Sequence, residues 1–174
     1  MDSRGGLDVA PSGPRTLQRG TTNAFSLRDA REQDAEAIAQ LAAEFVAYLA
    51  ALGDPDARGI TAAEYLRDGF GDRAAFHGFV AADSSGVVGY LLYHDGYDVD
   101  RRGRVLYVAD LFVTERVRRH GVGRALMEQA RTECVARGGR ALLWTVYPPN
   151  VAARRFYERL GGRPTAEQLM SLAL

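Results

Sequence analysis

The stretch Arg118-Arg119-His120-Gly121-Val122-Gly123 decides which folds this chain can adopt. It follows an apolar run over residues 106–113 and opens a helical pattern that continues to Arg137, so both glycines fall where a strand is followed by a helix N-terminus. The first amides of a helix have no partner within the helix, and the peptide dipoles concentrate positive charge there. Glycine also lets an anion approach the backbone closely. The stretch therefore predicts a phosphate-binding loop.

The spacing of the glycines distinguishes among phosphate-binding loops. A dinucleotide-binding fingerprint requires a third glycine three residues after Gly123, where this chain has Leu126, and a P-loop requires Gly-Lys-Ser or Gly-Lys-Thr. Both are excluded. The order Arg-x-x-Gly-x-Gly, with Arg118 three residues before Gly121, instead resembles the acetyl-coenzyme A loop of the GNAT superfamily of N-acetyltransferases.

The resemblance extends beyond the loop, over residues 41–161, and together its motifs are similar to those of the diamine and thialysine acetyltransferase branch. It implies an α/β fold in which a mixed, mostly antiparallel sheet is flanked by about four helices, with a splay between two central parallel strands. The matching stretches are residues 61–71, 89–93 and 110–113, followed by Asn150, Phe156, Tyr157 and Gly161.

Local patterns place the elements of this fold. Asp34 and Thr61 are predicted to cap two helices, the second with Glu64 in a capping box. A third helix follows Gly121, and its spacing puts Cys134 on a buried face as a structural thiol. Strands are predicted at residues 25–28, 76–82, 87–94, 104–113, 141–146 and 169–174, a loop at 95–103, and a last helix at 150–160.

Composition limits the function classes. The 174 residues suffice for one domain, predicted at 23–174 after a disordered tail at 1–22. The formal net charge is zero and the arginines at 116–124 lack interleaved aromatic residues, so no nucleic-acid partner is expected. A single cysteine excludes an internal disulfide, and no segment reaches the length of a membrane span. We therefore expect a cytoplasmic protein without a membrane partner.

The resemblance implies acetyl-coenzyme A as co-substrate and a small amine as the second substrate, and it is compatible with a homodimer. Backbone groups of the strand before the loop would hold the pantetheine arm and the oxyanion, and the last helix would complete the site. The implied coenzyme-binding residues are Leu111, Phe112, Val113, Arg118, Arg119, His120, Gly121, Val122, Gly123, Arg124, Asn150, Ala153, Phe156 and Tyr157.

Two catalytic residues are predicted. By resemblance, Tyr157 is the general acid for the departing thiolate, and its ordinary pKa of about 10 keeps it protonated at neutral pH. In the diamine branch a glutamate precedes the aspartate of the strand, but here that position is Ala109, which leaves Asp110 as the nearest carboxylate. Because strand side chains alternate, Asp110 should face away from Ala109 unless a bulge turns it. If Asp110 is not catalytic, its alternative role is that of a strand aspartate whose hydrogen bonds fix the neighbouring loop.

Other bases remain open, namely Glu44, Glu64, Tyr107 or a chain of waters. The scattered positions of His77, His94 and His120 do not match a metal-ligand spacing, so no metal is expected.

The sequence thus predicts direct acetyl transfer to a small primary amine, such as a polyamine, an amino acid or a lysine-like amine. Loss of the glutamate at Ala109 keeps a non-catalytic acyl-coenzyme A binding module as an alternative, and a protein N-acetyltransferase would share the same coenzyme site. Polyamine recognition needs several carboxylates, because each exposed ion pair contributes only about 0 to 1 kcal/mol. The turn at Asp54-Pro55-Asp56 supplies only two.

Overall fold

A computed structural model of the protein describes residues 25–172, and within them five strands form one sheet in sequence order. Neighbouring strands pair antiparallel except the last two, which are parallel. Four helices cover the sheet, which confirms the predicted mixed, mostly antiparallel architecture. The elements are β1 (Ser26–Asp29), α1 (Ala35–Ala51), α2 (Ala62–Gly69), β2 (His77–Asp83), β3 (Gly86–Asp98), β4 (Gly103–Val113), α3 (Val122–Ala136), β5 (Ala141–Leu143) and α4 (Val151–Arg159).

Each face of the sheet has its own apolar core. On one face α3 packs against strand residues such as Leu91 and Val108, with Phe156 and Tyr157 of α4 at the margin. On the other face, α1 and α2 cover a second cluster that includes Tyr90. The predicted α3 stripe is buried throughout and confirms Cys134 as a structural thiol; its members are Val122, Leu126, Ala130 and Cys134.

The helix caps are partly as predicted. Thr61 Oγ1 accepts from the Glu64 amide at 3.2 Å, and Glu64 Oε2 accepts from the Thr61 amide at 2.9 Å, so the predicted capping box of α2 is confirmed. Asp34 stands at the N-cap position of α1 but makes no side-chain cap bond there. Its carboxylate instead accepts from the Arg31 amide and from the Arg28 guanidinium, since a charged partner binds it more strongly than a helix amide.

Three predicted segments differ from the structure by more than one residue at an end. The loop expected at residues 95–103 is shorter, because β3 and β4 remain paired as far as Asp98 and Gly103. The strand expected at 141–146 ends at Leu143. The final strand predicted at 169–174 is wrong for residues 169–172, which are exposed and in no strand, because no neighbouring backbone pairs with them; residues 173 and 174 lie outside the described residues.

The predicted tail at residues 1–22 also lies outside the described part of the chain. Across residues 25–172, none of the helices combines the length and apolar character that crossing a bilayer requires.

Candidate active site

A gap opens between the two parallel strands. β4 pairs with β5 only from Val105 to Tyr107, and β5 ends at Leu143 while β4 continues to Val113. Soon after β5 the chain reaches Pro148 and Pro149, which have no amide hydrogen and cannot extend a ladder. On its β5 side, the end of β4 therefore has no strand partner among residues 25–172.

The predicted coenzyme residues at the end of β4 divide between the two faces. Phe112 is buried beneath α1, with its ring 5.4 Å from that of Phe45. Leu111 and Val113 are half-buried against the α3 core. Backbone groups along a strand point alternately to its two edges, so alternate residues of this stretch present theirs to β3 and to the open side of β4.

The loop before α3 presents free backbone amides. Within the described chain, the amides of residues 119–124 donate to no backbone or side-chain acceptor. Arg119 and Gly121 both adopt left-handed backbone conformations, with φ of 67° and 88°. His120 and Arg124 are exposed, whereas the Val122 side chain is buried and only its backbone faces the loop. Such an arrangement suits an anion.

Gly123 lies against the last helix. A Cβ atom at this position would be 3.3 Å from Phe156 Cζ and 3.7 Å from Val113 Cγ2. Three predicted site elements, namely the end of β4, the loop and α4, therefore meet at this glycine.

Arg118 is not a free cation. Its Nε donates to the Val113 carbonyl at 2.9 Å, and its guanidinium lies 5.2 Å from the centre of the Tyr48 ring and 5.3 Å from that of Phe112. A guanidinium held in this way fixes the loop to the end of β4 and to α1. Its contribution is therefore to the shape of the loop.

Asn150 caps the last helix. Its Oδ1 accepts from the Ala153 amide at 3.0 Å at the start of α4 and from the Tyr48 hydroxyl at 2.9 Å. Asn150 is 5% exposed. A buried amide with both bonds ties α4 to α1.

Tyr157 packs in an aromatic cluster beside the gap. Its ring centre lies 4.9 Å from that of Trp144, the residue directly after β5, and 5.0 Å from that of Phe156. Burial, and secondly the negative charge of Asp110, raise the pKa of Tyr157 to about 12. The phenol is therefore protonated at neutral pH and within the field of the Asp110 carboxylate.

A β-bulge sets the direction of Asp110. Leu92 on β3 pairs with Asp110 and the next residue, Tyr93, pairs with Val108, so Ala109 is left over. Val108 packs in the core under α3, and without the bulge Asp110 would follow it to the same face. The extra residue turns Asp110 to the face covered by α1 and α2.

Asp110 is a half-buried carboxyl with few partners. Its Oδ2 accepts from the Tyr90 hydroxyl at 2.5 Å, and no cationic side chain within residues 25–172 pairs with it. Burial raises its pKa to about 6, while the bonds from Tyr90 and the Leu111 amide lower it. A carboxylate with a pKa near neutrality suits a general base.

The alternative bases have other partners. Glu44 accepts from the Thr114 hydroxyl at 2.9 Å. The capping bonds from Thr61 hold the pKa of Glu64 below its ordinary value, which weakens Glu64 as a base. Tyr107 is half-buried, with its hydroxyl 3.5 Å from Thr145 Oγ1.

The histidines are scattered as the sequence indicated. His94 on β3 stacks on Tyr107 on β4, and His77 on β2 lies near Tyr93. His120 is exposed in the loop before α3. In the part of the chain that the structure describes, no three His, Cys, Asp or Glu residues group as a metal site.

Three residues of the site were not found from the sequence. They are Tyr48 on α1, Tyr90 on β3 and Trp144 after β5. Tyr48 and Tyr90 have the spacing of ordinary core aromatics, and only their hydroxyl bonds to Asn150 and Asp110 distinguish them. No local signal marks such bonds, which join positions 102 and 20 residues apart.

A family model for acetyltransferases of the GNAT family matches residues 38–162, more than half of the chain. The chain belongs to the GNAT family of acetyltransferases. The predicted family membership and the predicted enzyme type are thereby confirmed, and the matched residues include the loop, Asp110 and Tyr157.

Curated GNAT relatives agree with the predicted branch. Spermidine/spermine N(1)-acetyltransferase-like protein 1 of Homo sapiens is 29% identical over 152 residues, 83% of this chain but 21% of that protein, so the chain spans about a fifth of its length. Thialysine N-epsilon-acetyltransferase of Bos taurus is 28% identical over 149 residues, 81% of this chain and 85% of that enzyme.

A solved structure agrees with the GNAT fold. The tetramutant of the BH1408 protein from Bacillus halodurans superposes with a TM-score of 0.70 at 25% identity, over 85% of this chain and 99% of that chain.

Proposed function

We propose that this GNAT protein transfers an acetyl group from acetyl-coenzyme A directly to the primary amine of a small molecule. The observation that carries the proposal is the β4 bulge at Ala109. It brings a half-buried carboxyl, Asp110, to the unpaired stretch of β4, within the electrostatic influence of the Tyr157 phenol. A base and an acid beside one gap are the pair that acetyl transfer requires.

The residues around the gap fit the coenzyme. The free amides of residues 119–124 would hold the pyrophosphate, and the absence of a side chain at Gly123 leaves room for it beside Phe156. The backbone of residues 111–113 would hold the pantetheine arm. The thioester supplies the acetyl group.

Asp110 and Tyr157 would move the protons. A primary ammonium with a pKa near 10.4 first gives a proton to water, at a cost of about 4.6 kcal/mol at pH 7. As the nitrogen forms its bond to the acetyl carbon, Asp110 takes a second proton from it. Tyr157 gives its phenolic proton to the sulfur as the carbon–sulfur bond breaks, and exchange with water restores both groups.

The two proton transfers support each other. The charge on Asp110 contributes to the raised pKa of Tyr157. Once Asp110 is protonated, that charge is gone and the phenol becomes a stronger acid. Proton uptake from the amine thereby favours proton release to the sulfur.

We place the acceptor beside α1, α2 and the turn between them, where several carboxylates already accept hydrogen bonds. Asp54 accepts from the Asp56 amide at 3.1 Å, and Glu44 and Glu64 accept hydrogen bonds from threonines. We therefore propose that a monoamine, an amino acid or a lysine-like amine serves at least as well as spermidine. The relatives are named as a spermidine/spermine N(1)-acetyltransferase-like protein, a thialysine N-epsilon-acetyltransferase and, in Arabidopsis thaliana, an L-ornithine N5-acetyltransferase.

An amine panel tests the function. Coenzyme A release from acetyl-coenzyme A would be measured with spermidine, spermine, thialysine, ornithine, lysine, simple monoamines and an unblocked peptide. We expect release with at least one small amine, and no advantage of orders of magnitude in kcat/KM for the polyamines. Binding of acetyl-coenzyme A without release for any amine would instead indicate a non-catalytic module, and release with the peptide alone a protein N-acetyltransferase.

Removal of the Tyr157 hydroxyl tests the acid. Tyr157→Phe keeps the ring contacts with Trp144 and Phe156 and deletes the donor, so we expect kcat to fall at least about tenfold with little change in KM for acetyl-coenzyme A. Single-turnover rates must be measured, because slow product release would hide the effect. Tyr97→Phe, at a tyrosine that is 68% exposed, is the control. If Tyr157→Phe kept the wild-type single-turnover rate, Tyr157 would be a packing residue and not the general acid.

A further inference from the structure

Tyr90 carries a hydroxyl that its packing does not require. The side chain is 0% exposed in the core beneath α1 and α2, where a phenylalanine would fill almost the same volume. A buried hydroxyl destabilises the fold unless it has a partner. Its hydrogen-bond partner in the described structure is Asp110 Oδ2, at 2.5 Å.

The same bond dominates the surroundings of the Asp110 carboxyl. Among residues 25–172, Tyr90 is the one side chain that donates to it, and no arginine shares it. With Oδ2 held by Tyr90, Oδ1 is the oxygen without a side-chain donor. The bond therefore fixes the orientation of the carboxyl and, together with the Leu111 amide, favours its charged form against the larger opposing effect of burial.

Ala109, the neighbour of Asp110 on β4, is small and exposed. The alanine is the unpaired residue of the bulge and is exposed, and its side chain ends at Cβ. The space beside Asp110 is therefore not filled by a long side chain from the neighbouring position.

We propose that Tyr90 is a positioning residue for acetyl transfer, which holds Oδ2 of Asp110 so that Oδ1 faces the acceptor amine and takes its proton. The inference rests on the proposed function, in which Asp110 is the base. Tyr90 keeps its own proton throughout, since burial and the neighbouring carboxylate raise its pKa far above neutrality. The carboxylate–tyrosine pair would thus supply a base in a chain that has Ala109 in place of a glutamate.

Tyr90→Phe is the first test, with Tyr65→Phe as the matched control. Tyr65 belongs to the same core, is 1% exposed and donates one hydrogen bond, to the Arg31 carbonyl at 3.0 Å. In wild type, the acid limb of the kcat/KM profile should have its midpoint near the pKa of Asp110, about 6. Because the Tyr90 bond lowers that pKa, Tyr90→Phe should move the midpoint up by at least about one pH unit and reduce kcat about tenfold at pH 7. Tyr65→Phe should leave the midpoint in place.

A second measurement does not depend on turnover. The side-chain carboxyl carbon of Asp110, assigned by its loss in Asp110→Asn, would be titrated by NMR in wild type and in both variants. We expect the midpoint to rise in Tyr90→Phe only. Site-specific 3,5-difluorotyrosine at position 90 keeps the ring and strengthens the donor, so it should lower the midpoint.

The outcomes separate the inference from the proposed function. If Tyr90→Phe and the difluorotyrosine protein both titrate as wild type, the inference is overturned, whatever the activity. If wild type acetylates no amine while the Asp110 midpoint still follows the substitutions at position 90, the proposed function fails and the pair is purely structural. A tenfold lower kcat with unchanged pH profile and unchanged titration would assign Tyr90 to packing alone.

Discussion

Asp110→Asn is expected to lower the single-turnover rate of acetyl transfer by about 10²- to 10⁴-fold, the usual contribution of a general base. Asparagine has the same shape and still accepts the hydrogen bond from Tyr90, so the local structure should persist. The change removes only the ability to take a proton. Rates would be measured with saturating acetyl-coenzyme A and the best amine of the panel.

The same substitution is expected to stabilise the fold. The pKa of Asp110 is raised from 3.8 to about 6 in the folded protein, so its ionised form disfavours folding. In wild type, the protonated Asp110 carboxyl makes its full contribution to the free energy of unfolding below pH 3.8. This contribution is lost as the pH rises through about 6. At pH 7 the asparagine variant should therefore be more stable, by about 3 kcal/mol at most. Urea unfolding at pH 4 and pH 7 measures the difference.

The control for both measurements is Asp100→Asn. This carboxylate is exposed in the turn between β3 and β4, and its loss should change neither the rate nor the pH dependence of unfolding. A wild-type single-turnover rate for Asp110→Asn would show that the base is elsewhere. An equal stability of wild type and variant at both pH values would contradict the raised pKa of Asp110.

Gly123→Asp is expected to weaken acetyl-coenzyme A binding by at least about 100-fold while the protein stays folded. Two like charges about 4 Å apart near a protein surface repel by about 4 kcal/mol, and the aspartate would occupy the place proposed for the pyrophosphate. An acidic residue in the first turn of α3 favours the helix dipole, so folding should not suffer. Gly121 is the less suitable position, because its φ of 88° strains any other residue.

Calorimetry with acetyl-coenzyme A measures this effect, and Gly123→Ala is the control. Alanine adds the Cβ atom beside Phe156, with its ideal contact of 3.3 Å, but adds no charge. We expect the alanine variant to lose much less affinity than the aspartate variant. Wild-type affinity of Gly123→Asp, with a normal unfolding transition, would show that the coenzyme phosphates bind elsewhere.

The sequence by itself determined the features that depend on neighbouring residues. The capping box of Thr61 and Glu64, the buried stripe of α3 and the glycines at the start of that helix were all predicted correctly. Helix periodicity and turn chemistry act within a few residues, so a local pattern specifies them. The family followed from the loop together with the stretches that accompany it.

The tertiary structure decided the features that need two distant segments. A bulge exists only in the register between two strands, so the side on which Asp110 lies could not follow from β4 alone. The absence of a strand at residues 169–172 likewise depends on which backbone lies beside it, not on its apolar side chains. From the sequence alone, Tyr90 has the pattern of a core aromatic residue. It joins the proposed site only because β3 and β4 bring its hydroxyl to the half-buried Asp110 carboxyl, which it supplies with a hydrogen-bond donor.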